Sequence, residues 1–218
     1  MEASDNLRRD AQALLALKSK WSARRGMERC ELCSRDLEKS HPHLVDITAR
    51  RIVCACNACS LLFEGSTTAR YRRIPPDIIR LSDFVLDDLE WSALSIPIGL
   101  AFFFFSSVAG KVIAMYPSPA GATESLLDLD AWSDIATRHS RIQQLRPDVE
   151  ALLVNRLCTP AEYFIVPIDR CYQLAGTIRK HWTGFSGGDV LWREVNEFFE
   201  GLRHQSIASG VEHARSAI

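Results

Sequence analysis

The spacing of hydrophobic and polar positions changes along the chain, and the changes predict an α+β fold. Between Leu7 and Trp21, apolar residues recur at the spacing of one helical face, which predicts an amphipathic N-terminal helix. Further along the chain, short apolar runs predict four β-strands. Their bounds are Ile98 to Ser107, Lys111 to Tyr116, Glu150 to Arg156 and Glu162 to Ile168.

The connections between these runs predict two hairpins with helices between and after them. A short link that contains Gly110 joins the first two strands, and a turn at Pro160 joins the last two. Helical periodicity predicts three helices, over Asp130 to His139, Asp169 to Trp182 and Asp189 to Arg203. We expect Asp169 and Asp189 to act as N-caps, because a carboxylate can accept the unpaired amides of a first turn. This pattern favours an antiparallel sheet that helices cover on one face.

Adjacent prolines divide the chain into two units. Pro75 and Pro76 mark a connector, since the residue before a proline is pushed out of the helical region. We therefore predict four segments along the chain. They are an N-terminal helix over 1–26, a cysteine-rich zinc-binding module over 27–73, an α+β domain over 74–205 and a flexible C-terminal tail over 206–218.

Composition and charge agree with this division. The chain has 218 residues, 47% of them hydrophobic, which is enough for a core. Through Arg73, 14 lysines and arginines stand against 9 acidic residues, and after Arg73 the numbers are 12 against 18. Opposite net charges on the two parts favour two units. The positive excess of the first part is too small to predict a nucleic-acid partner.

The N-terminus and the most apolar run both argue for a cytoplasmic protein. Acids and arginines precede the apolar positions of the first helix, and no small-residue cleavage site follows, so the segment is not typical of a secretory signal. The run from Ile96 to Phe105 covers ten residues, about half of what a membrane helix needs, so we expect no membrane insertion. Seven cysteines, an odd number, argue against a disulfide framework in a reducing compartment and favour metal binding.

Five of the seven cysteines lie within positions 29–63 and include two CxxC pairs. Cys30 and Cys33 form the first pair, and Cys56 and Cys59 form the second. Two tight turns of this kind can present four thiolates in the tetrahedral arrangement that zinc prefers. Because four cysteine ligands leave no position open for water or substrate, we predict a structural Zn²⁺ ion.

The residues between the two pairs predict the shape of this module. The runs HLVDI and RIVCA flank a turn over Thr48 to Arg50 and predict a β-hairpin. The run NACSLLF then predicts the start of a helix. A hairpin between two cysteine turns, followed by a helix, is a treble-clef or zinc-ribbon-like arrangement.

Cys54 and two histidines leave alternatives open at this site. Only Cys56 has the tight-turn spacing to Cys59, so we expect Cys54 to be a small buried hydrophobe. Reactive thiols or an iron–sulfur cluster would use the same CxxC pairs. His41 and His43 could complete a second metal site, supply a base, or lie at the surface with hydrogen bonds to a sulfur or a carbonyl.

Familiar catalytic motifs are absent from the sequence, which contains no Walker A loop, no HExxH and no GxSxG elbow, since the run GFSGG follows a predicted helix and not a strand. Two small-residue loops, SPAGATES and GFSGGD, each precede a predicted helix. Their amides could hold an anion, or their glycines could simply cap helices. Glu124, Asp169, Arg170 and His181 could form a polar pocket around the first loop and so serve an unrecognised enzyme.

Several long motifs together resemble a known family. They are CELC, HPHLVD, CACNACSLLFE, IPIGLAFFFFSS, YPSPAGATESLL, PDVEALLVNR and FIVPIDRCYQLAGTIRKHWTGFSGGDVLW. From Arg29 to about Arg203, the chain resembles an uncharacterised bacterial family, a domain of unknown function with the number 5947. Members of that family are often encoded beside nickel–iron hydrogenase structural and maturation genes. The resemblance implies a protein partner, a hydrogenase subunit or a maturation factor, and it implies no particular reaction.

A weaker likeness is to HNH-type endonucleases, in which a histidine on the hairpin of a treble clef acts as general base. His41 or His43 would have to take that part. The chain departs from the pattern, because the usual asparagine before the second knuckle and the usual histidine after it are missing. The sequence therefore predicts a non-catalytic zinc-binding accessory or assembly protein. The alternatives are this nuclease and an enzyme with an unrecognised site in the α+β domain.

Overall fold

The structure is a computed structural model that describes residues 28–63, 70–126, 129–184 and 186–208. The described residues form ten strands and six helices. In chain order these are β1 His43–Asp46, β2 Arg51–Cys54, α1 Asn57–Leu62, β3 Tyr71–Arg73, β4 Ile79–Arg80, α2 Asp88–Ala93, β5 Leu100–Ser106, β6 Lys111–Ser118, β7 Gly121–Ser125, α3 Leu129–Thr137, α4 Ser140–Gln143, β8 Glu150–Asn155, β9 Glu162–Pro167, α5 Ile168–His181, α6 Asp189–Gln205 and β10 Ile207–Ala208. The predicted N-terminal helix lies outside the described residues.

A small three-stranded sheet organises the cysteine module, the name used below for residues 28–73. Its order is β2-β1-β3, with both pairs antiparallel. The predicted hairpin is confirmed, and Leu44 and Val53 face each other across it, both with no exposed surface. The predicted helix after the second CxxC pair is also confirmed as α1, while β3 was not predicted.

A seven-stranded sheet forms the second part of the fold, in the order β10-β4-β9-β8-β5-β6-β7. All its pairs are antiparallel except the terminal β10–β4 pair, which is parallel. The four predicted strands are confirmed as β5, β6, β8 and β9, with ends shifted by no more than about two residues. The α+β class and the antiparallel sheet packed with helices are therefore as predicted.

The large sheet is covered on both faces, so the expectation of a single covered face is wrong. Successive side chains of a strand point to opposite faces. On one face, Phe102 and Phe104 of β5 pack in a core with Leu174 of α5, and α6 contributes to the same core. On the other face, Phe103 packs in a separate core with Trp132 of α3. A central strand buried on both faces explains the unbroken apolar run of β5, which has no polar alternation.

The two long helices begin without the predicted aspartate caps. Pro167 and Gly188 occupy the N-cap positions of α5 and α6, and neither makes a side-chain capping bond. Asp169 and Asp189 lie inside the first turns instead, where their charge still favours the positive end of the helix dipole. The carboxylate of Asp169 is engaged elsewhere, as described below.

The cysteine module packs directly against the large sheet. Val45 of β1 belongs to the same core as Phe104 of β5 and Ile168 of α5. Arg72 of β3 adds an ion pair with Asp148, with 2.8 Å between Nη1 and Oδ2. The division of the chain at residue 73 stays a prediction, but the two parts share buried contacts.

The C-terminal end and the most apolar run have defined places in this sheet. The predicted tail begins at residue 206, yet residues 207–208 still pair with β4 as β10, and the rest of the tail lies outside the described residues. Most of the apolar run is strand β5. Among the described helices, none is both long enough and apolar enough to cross a membrane.

Candidate metal centre

Four thiols converge in the cysteine module, from the first CxxC pair and from the segment that follows β2. The sulfurs of Cys30, Cys33, Cys56 and Cys59 all lie within 4.8 Å of one another. The sulfurs of Cys33 and Cys56 are 3.7 Å apart. In a tetrahedral site with zinc–sulfur distances of about 2.3 Å, neighbouring sulfurs are about 3.8 Å apart. The spacing thus fits four ligands around one ion.

The first CxxC pair lies in a tight turn that the backbone closes. The amide of Cys30 donates to the carbonyl of Arg35 at 2.8 Å, and the amide of Ser34 donates to the carbonyl of Cys30 at 2.7 Å. Ser34 has a φ of 61°, in the left-handed region that such a turn requires of its last residue. A bridge between Arg29 and Asp36 pairs the chain on either side of the turn. The sequence CELCS therefore folds into a knuckle with both sulfurs on one side.

The second pair is placed by the start of helix α1. Cys56 is the N-cap residue, and its sulfur accepts the amide of Cys59 at 3.5 Å. The amide of Ser60 donates to the carbonyl of Cys56 at 2.9 Å, which starts the helix. Ser60 is fully buried, and its hydroxyl donates to the carbonyl of Asn57. The two cysteines therefore point from the first turn of α1 toward the first knuckle.

The surroundings of Cys30, Cys56 and Cys59 give these thiols different pKa values. Burial raises the pKa of Cys30, but the backbone amides of Cys56, Leu32 and Cys33 stabilise its thiolate and lower the pKa overall to about 6 from an ordinary 9.0. The amide of Cys59 likewise lowers the pKa of Cys56. Burial, together with the neighbouring cysteines, raises the pKa of Cys59 to about 12. Four crowded thiols cannot all ionise unless a cation balances their charge.

The chemistry of this donor set fits a tetrahedral metal ion. Sulfur ligands suit zinc and iron among biological metals. A site with four cysteine ligands is closed, because the protein itself fills every tetrahedral position. The four predicted residues thus meet at one point that is compatible with a metal site.

A second group of possible ligands lies beside the first. One ligand atom from each of His41, His43 and Cys54 lies within 4.8 Å of the other two. His43 and Cys54 are directly paired across the hairpin, so their side chains lie on the same face of the small sheet. Cys54 is partly exposed rather than the buried hydrophobe that was expected. Strand β2 ends at Cys54, so strand alternation no longer relates its side chain to that of Cys56.

Asp169 contacts the cysteine module instead of capping helix α5 as predicted. Its Oδ2 lies 2.7 Å from Nδ1 of His43, across the contact between the cysteine module and helix α5. Both side chains line a cleft of about 670 Å³ between the two parts of the fold, as does Arg170. A sequence signal for this contact is weak, because the two residues lie 126 positions apart.

The two small-residue loops have structural roles. SPAGATES contains the turn of a hairpin between β6 and β7, and helix α3 begins at Leu129, after this hairpin. Glu124 is exposed on the edge strand β7, and neither Glu124 nor His181 lines the cleft that holds Asp169 and Arg170. In the second loop Gly188 is the N-cap of α6 and has a φ of 79°, a conformation that favours glycine.

Comparison with known proteins places the chain in a family. The model of a family of unknown function, DUF5947, matches residues 29–206. No curated protein and no solved structure matches the chain. Because the match covers most of the sequence, the chain belongs to this family.

Proposed function

We propose that this member of the DUF5947 family is a non-catalytic zinc-binding accessory or assembly protein. The observation that carries the proposal is the closed set of four thiols within 4.8 Å of one another. Zinc bound by four cysteines has no open position for water or substrate, so its role is structural.

A structural ion would supply stability that the module otherwise lacks. Strands β1 and β2 have four residues each, and α1 has six. A hairpin of this size is at best marginally stable by itself in water. Metal binding in small zinc modules supplies folding free energy on the order of 10 kcal/mol. We expect zinc to fix the two knuckles and hold α1 in place.

The proposed partner is another protein. Helix α1 carries Leu61 and Leu62 at its end, and these residues are 61% and 76% exposed. Apolar side chains on a rigid element can bind a partner at little entropic cost. The resemblance described above supports a hydrogenase subunit or maturation factor as that partner, and such a role would place the protein in the cytoplasm.

Metal content tests the structural part of the proposal. We expect at least one zinc per chain after purification without chelator, and a loss of one zinc in Cys56→Ser. Cys158→Ser is the matched control, because Cys158 is an exposed free cysteine outside the cluster. Iron in place of zinc, or unchanged zinc in Cys56→Ser, would contradict the assignment.

Deletion and complementation test the biological part. We expect hydrogenase maturation to fail in a deletion strain and to be restored by the wild type and by Glu124→Ala. Cys30→Ser and Cys33→Ser should not restore it. Normal hydrogenase activity and subunit processing in the deletion strain would refute the link to hydrogenase. Failure of Glu124→Ala alone would favour an enzyme with a site near β7.

A further inference from the structure

Two histidines and a cysteine beside the four-thiol cluster have the arrangement of metal ligands. Each of His41, His43 and Cys54 contributes one ligand atom, and the three atoms lie within 4.8 Å of one another. Imidazole nitrogen and thiolate sulfur are the ligands that zinc and similar divalent transition metals prefer. None of the three belongs to the four-thiol cluster.

The hydrogen bonds of the two histidines fix which nitrogen is free. Nδ1 of His41 lies 2.8 Å from the carbonyl oxygen of Glu38, and Nδ1 of His43 lies 2.7 Å from Oδ2 of Asp169. An acceptor at Nδ1 holds the proton there and leaves the lone pair on Nε2. Metal-binding histidines almost always have such an acceptor on the second nitrogen, either a carbonyl or a carboxylate. Both kinds are present here.

The second nitrogen of His41, Nε2, lies in a nearly buried position. Its side chain is only 6% exposed, and Nε2 has no hydrogen-bond partner among the described residues. A buried polar atom without a partner costs free energy unless a water molecule or an ion satisfies it. The carboxylate of Glu28 lies close by, with its Oε2 at 3.5 Å from Nε2. That carboxylate would favour a cation at this position.

A cleft gives solution access to the two histidines, and Cys54 is itself partly exposed. His41 and His43 line the cleft of about 670 Å³ between the cysteine module and helix α5. Three protein ligands leave a fourth tetrahedral position, which in zinc sites water or a bound ligand occupies. The four-thiol cluster, by contrast, offers no such position.

We propose that His41, His43 and Cys54 form a second metal site, which binds a divalent zinc-class ion through Nε2, Nε2 and Sγ, with Asp169 as a positioning residue. This site goes beyond the proposed function, which depends only on the four-thiol cluster. The chain would then hold two metal ions. One would lie in the closed, structural four-thiol site, and the other in a site that is open toward the cleft.

Metal stoichiometry tests the site directly. After loading of the full-length chain with excess Zn²⁺ and dialysis against metal-free buffer, we expect two zinc ions per chain. His43→Ala and Cys54→Ser should each retain one. His204→Ala and Cys158→Ser are matched controls and should retain two. One zinc in the wild type at saturation, or two in both site variants, would overturn the proposal. Cys30→Ser should lose the other zinc ion, the one bound by the four-thiol cluster, and so tests that cluster separately.

A spectroscopic readout separates ligation from a simple folding defect. When Co²⁺ is titrated into protein whose four-thiol cluster already holds zinc, a thiolate-to-cobalt charge-transfer band should appear with one equivalent. The band should be absent in Cys54→Ser and present in Cys158→Ser. A band that survives in Cys54→Ser would show that a different thiol binds the cobalt and would overturn the assignment.

The positioning role of Asp169 has its own matched control. Asp169→Asn keeps the shape of the side chain and removes its charge, and we expect a weaker affinity of the second site for Zn²⁺ by about 10–100-fold. The number of zinc ions at saturation should stay at two. Asp189→Asn changes an aspartate at the start of the other long helix and should leave the affinity unchanged. Equal affinities in the two variants would overturn the role of Asp169.

Discussion

Asp46 is a buried charge at the end of a strand of the small sheet. It is the last residue of β1 and has no exposed surface. Its Oδ2 accepts from Nε and Nη2 of Arg70 at 3.0 and 2.6 Å, and its Oδ1 accepts the amide of Ala49 at 3.0 Å. One carboxylate thus ties the turn of the hairpin to the start of β3. We predict that Asp46→Ala destabilises the protein by about 2 kcal/mol.

The magnitude follows from what the substitution leaves behind. Hydrogen bonds to a charged group contribute about 1.5–3 kcal/mol. The Arg70 side chain is 58% exposed, so water can replace part of its contact with the carboxylate, and the value falls below the upper end of that range. For a chain of about this size, 1 kcal/mol shifts the melting temperature by about 2–4 °C, so we expect a decrease of about 4–8 °C.

Calorimetry in excess zinc at neutral pH measures this effect. Asp36→Ala is the matched control, because Asp36 pairs with Arg29 at 3.1 Å in the same module but both side chains are about half exposed. An exposed pair of this kind contributes about 0–1 kcal/mol. A loss of stability in Asp46→Ala no larger than the loss in Asp36→Ala would refute the reasoning.

The same variant has a predictable pH dependence. The bonds from Arg70 hold the pKa of Asp46 below its ordinary value of 3.8. Since the folded pKa is lower than the unfolded pKa, the stabilisation is complete above the unfolded value and is lost as the pH falls through the folded one. The difference in stability between wild type and Asp46→Ala should therefore stay constant from pH 7 to about pH 5 and shrink below about pH 4.

Three further predictions concern the core, the glycines and the metal. Phe103 is fully buried and stacks on Trp132 with 4.8 Å between ring centroids. Phe103→Ala should therefore lower the free energy of unfolding, measured in urea, by about 3–5 kcal/mol. Phe105 is 37% exposed, so Phe105→Ala should lower it much less. Gly188 has a φ of +79°, and a new Cβ there would lie 2.5 Å from the hydroxyl of Thr183, so Gly188→Ala should lower the melting temperature. At Gly201 a new Cβ would meet nothing within 4 Å, so Gly201→Ala should stabilise α6 by about 0.5–1 kcal/mol. A strong chelator should expose the cysteine module to limited proteolysis well before the large sheet, as mass spectrometry of the fragments would show.

Local sequence patterns predicted the elements that have a large buried surface. The apolar runs of β5, β8 and β9 and the helical periodicity of α5 and α6 were all recognisable, because each has a large buried surface. Strand β7 was missed, because its sequence GATES has small and polar residues at the edge of the sheet. The covering of the second face was also missed, since a continuous apolar run does not indicate what packs on each side.

Long-range contacts account for the larger errors at the site. Local propensity placed Asp169 at an N-cap, which is a common use for an aspartate at the start of a helix. In the structure its carboxylate meets His43, and only the packing of the cysteine module on α5 brings the two together. The positions of the four cysteines were easier to predict, because two tight turns and one hairpin determine them locally.

The register of the hairpin determines which cysteines and histidines of this segment lie close together. Pairing of Asp46 with Arg51 across the turn requires pairing of His43 with Cys54 three positions further on. Cys56, two residues after Cys54, lies beyond the strand, and its side chain belongs to the four-thiol cluster. The amide of Glu31 donates to the carbonyl of Cys54 at 3.0 Å, so the first knuckle also rests on this strand end. The four-thiol cluster and the proposed second site therefore share one short backbone segment, and an ion bound at either site would restrain the segment that positions the other.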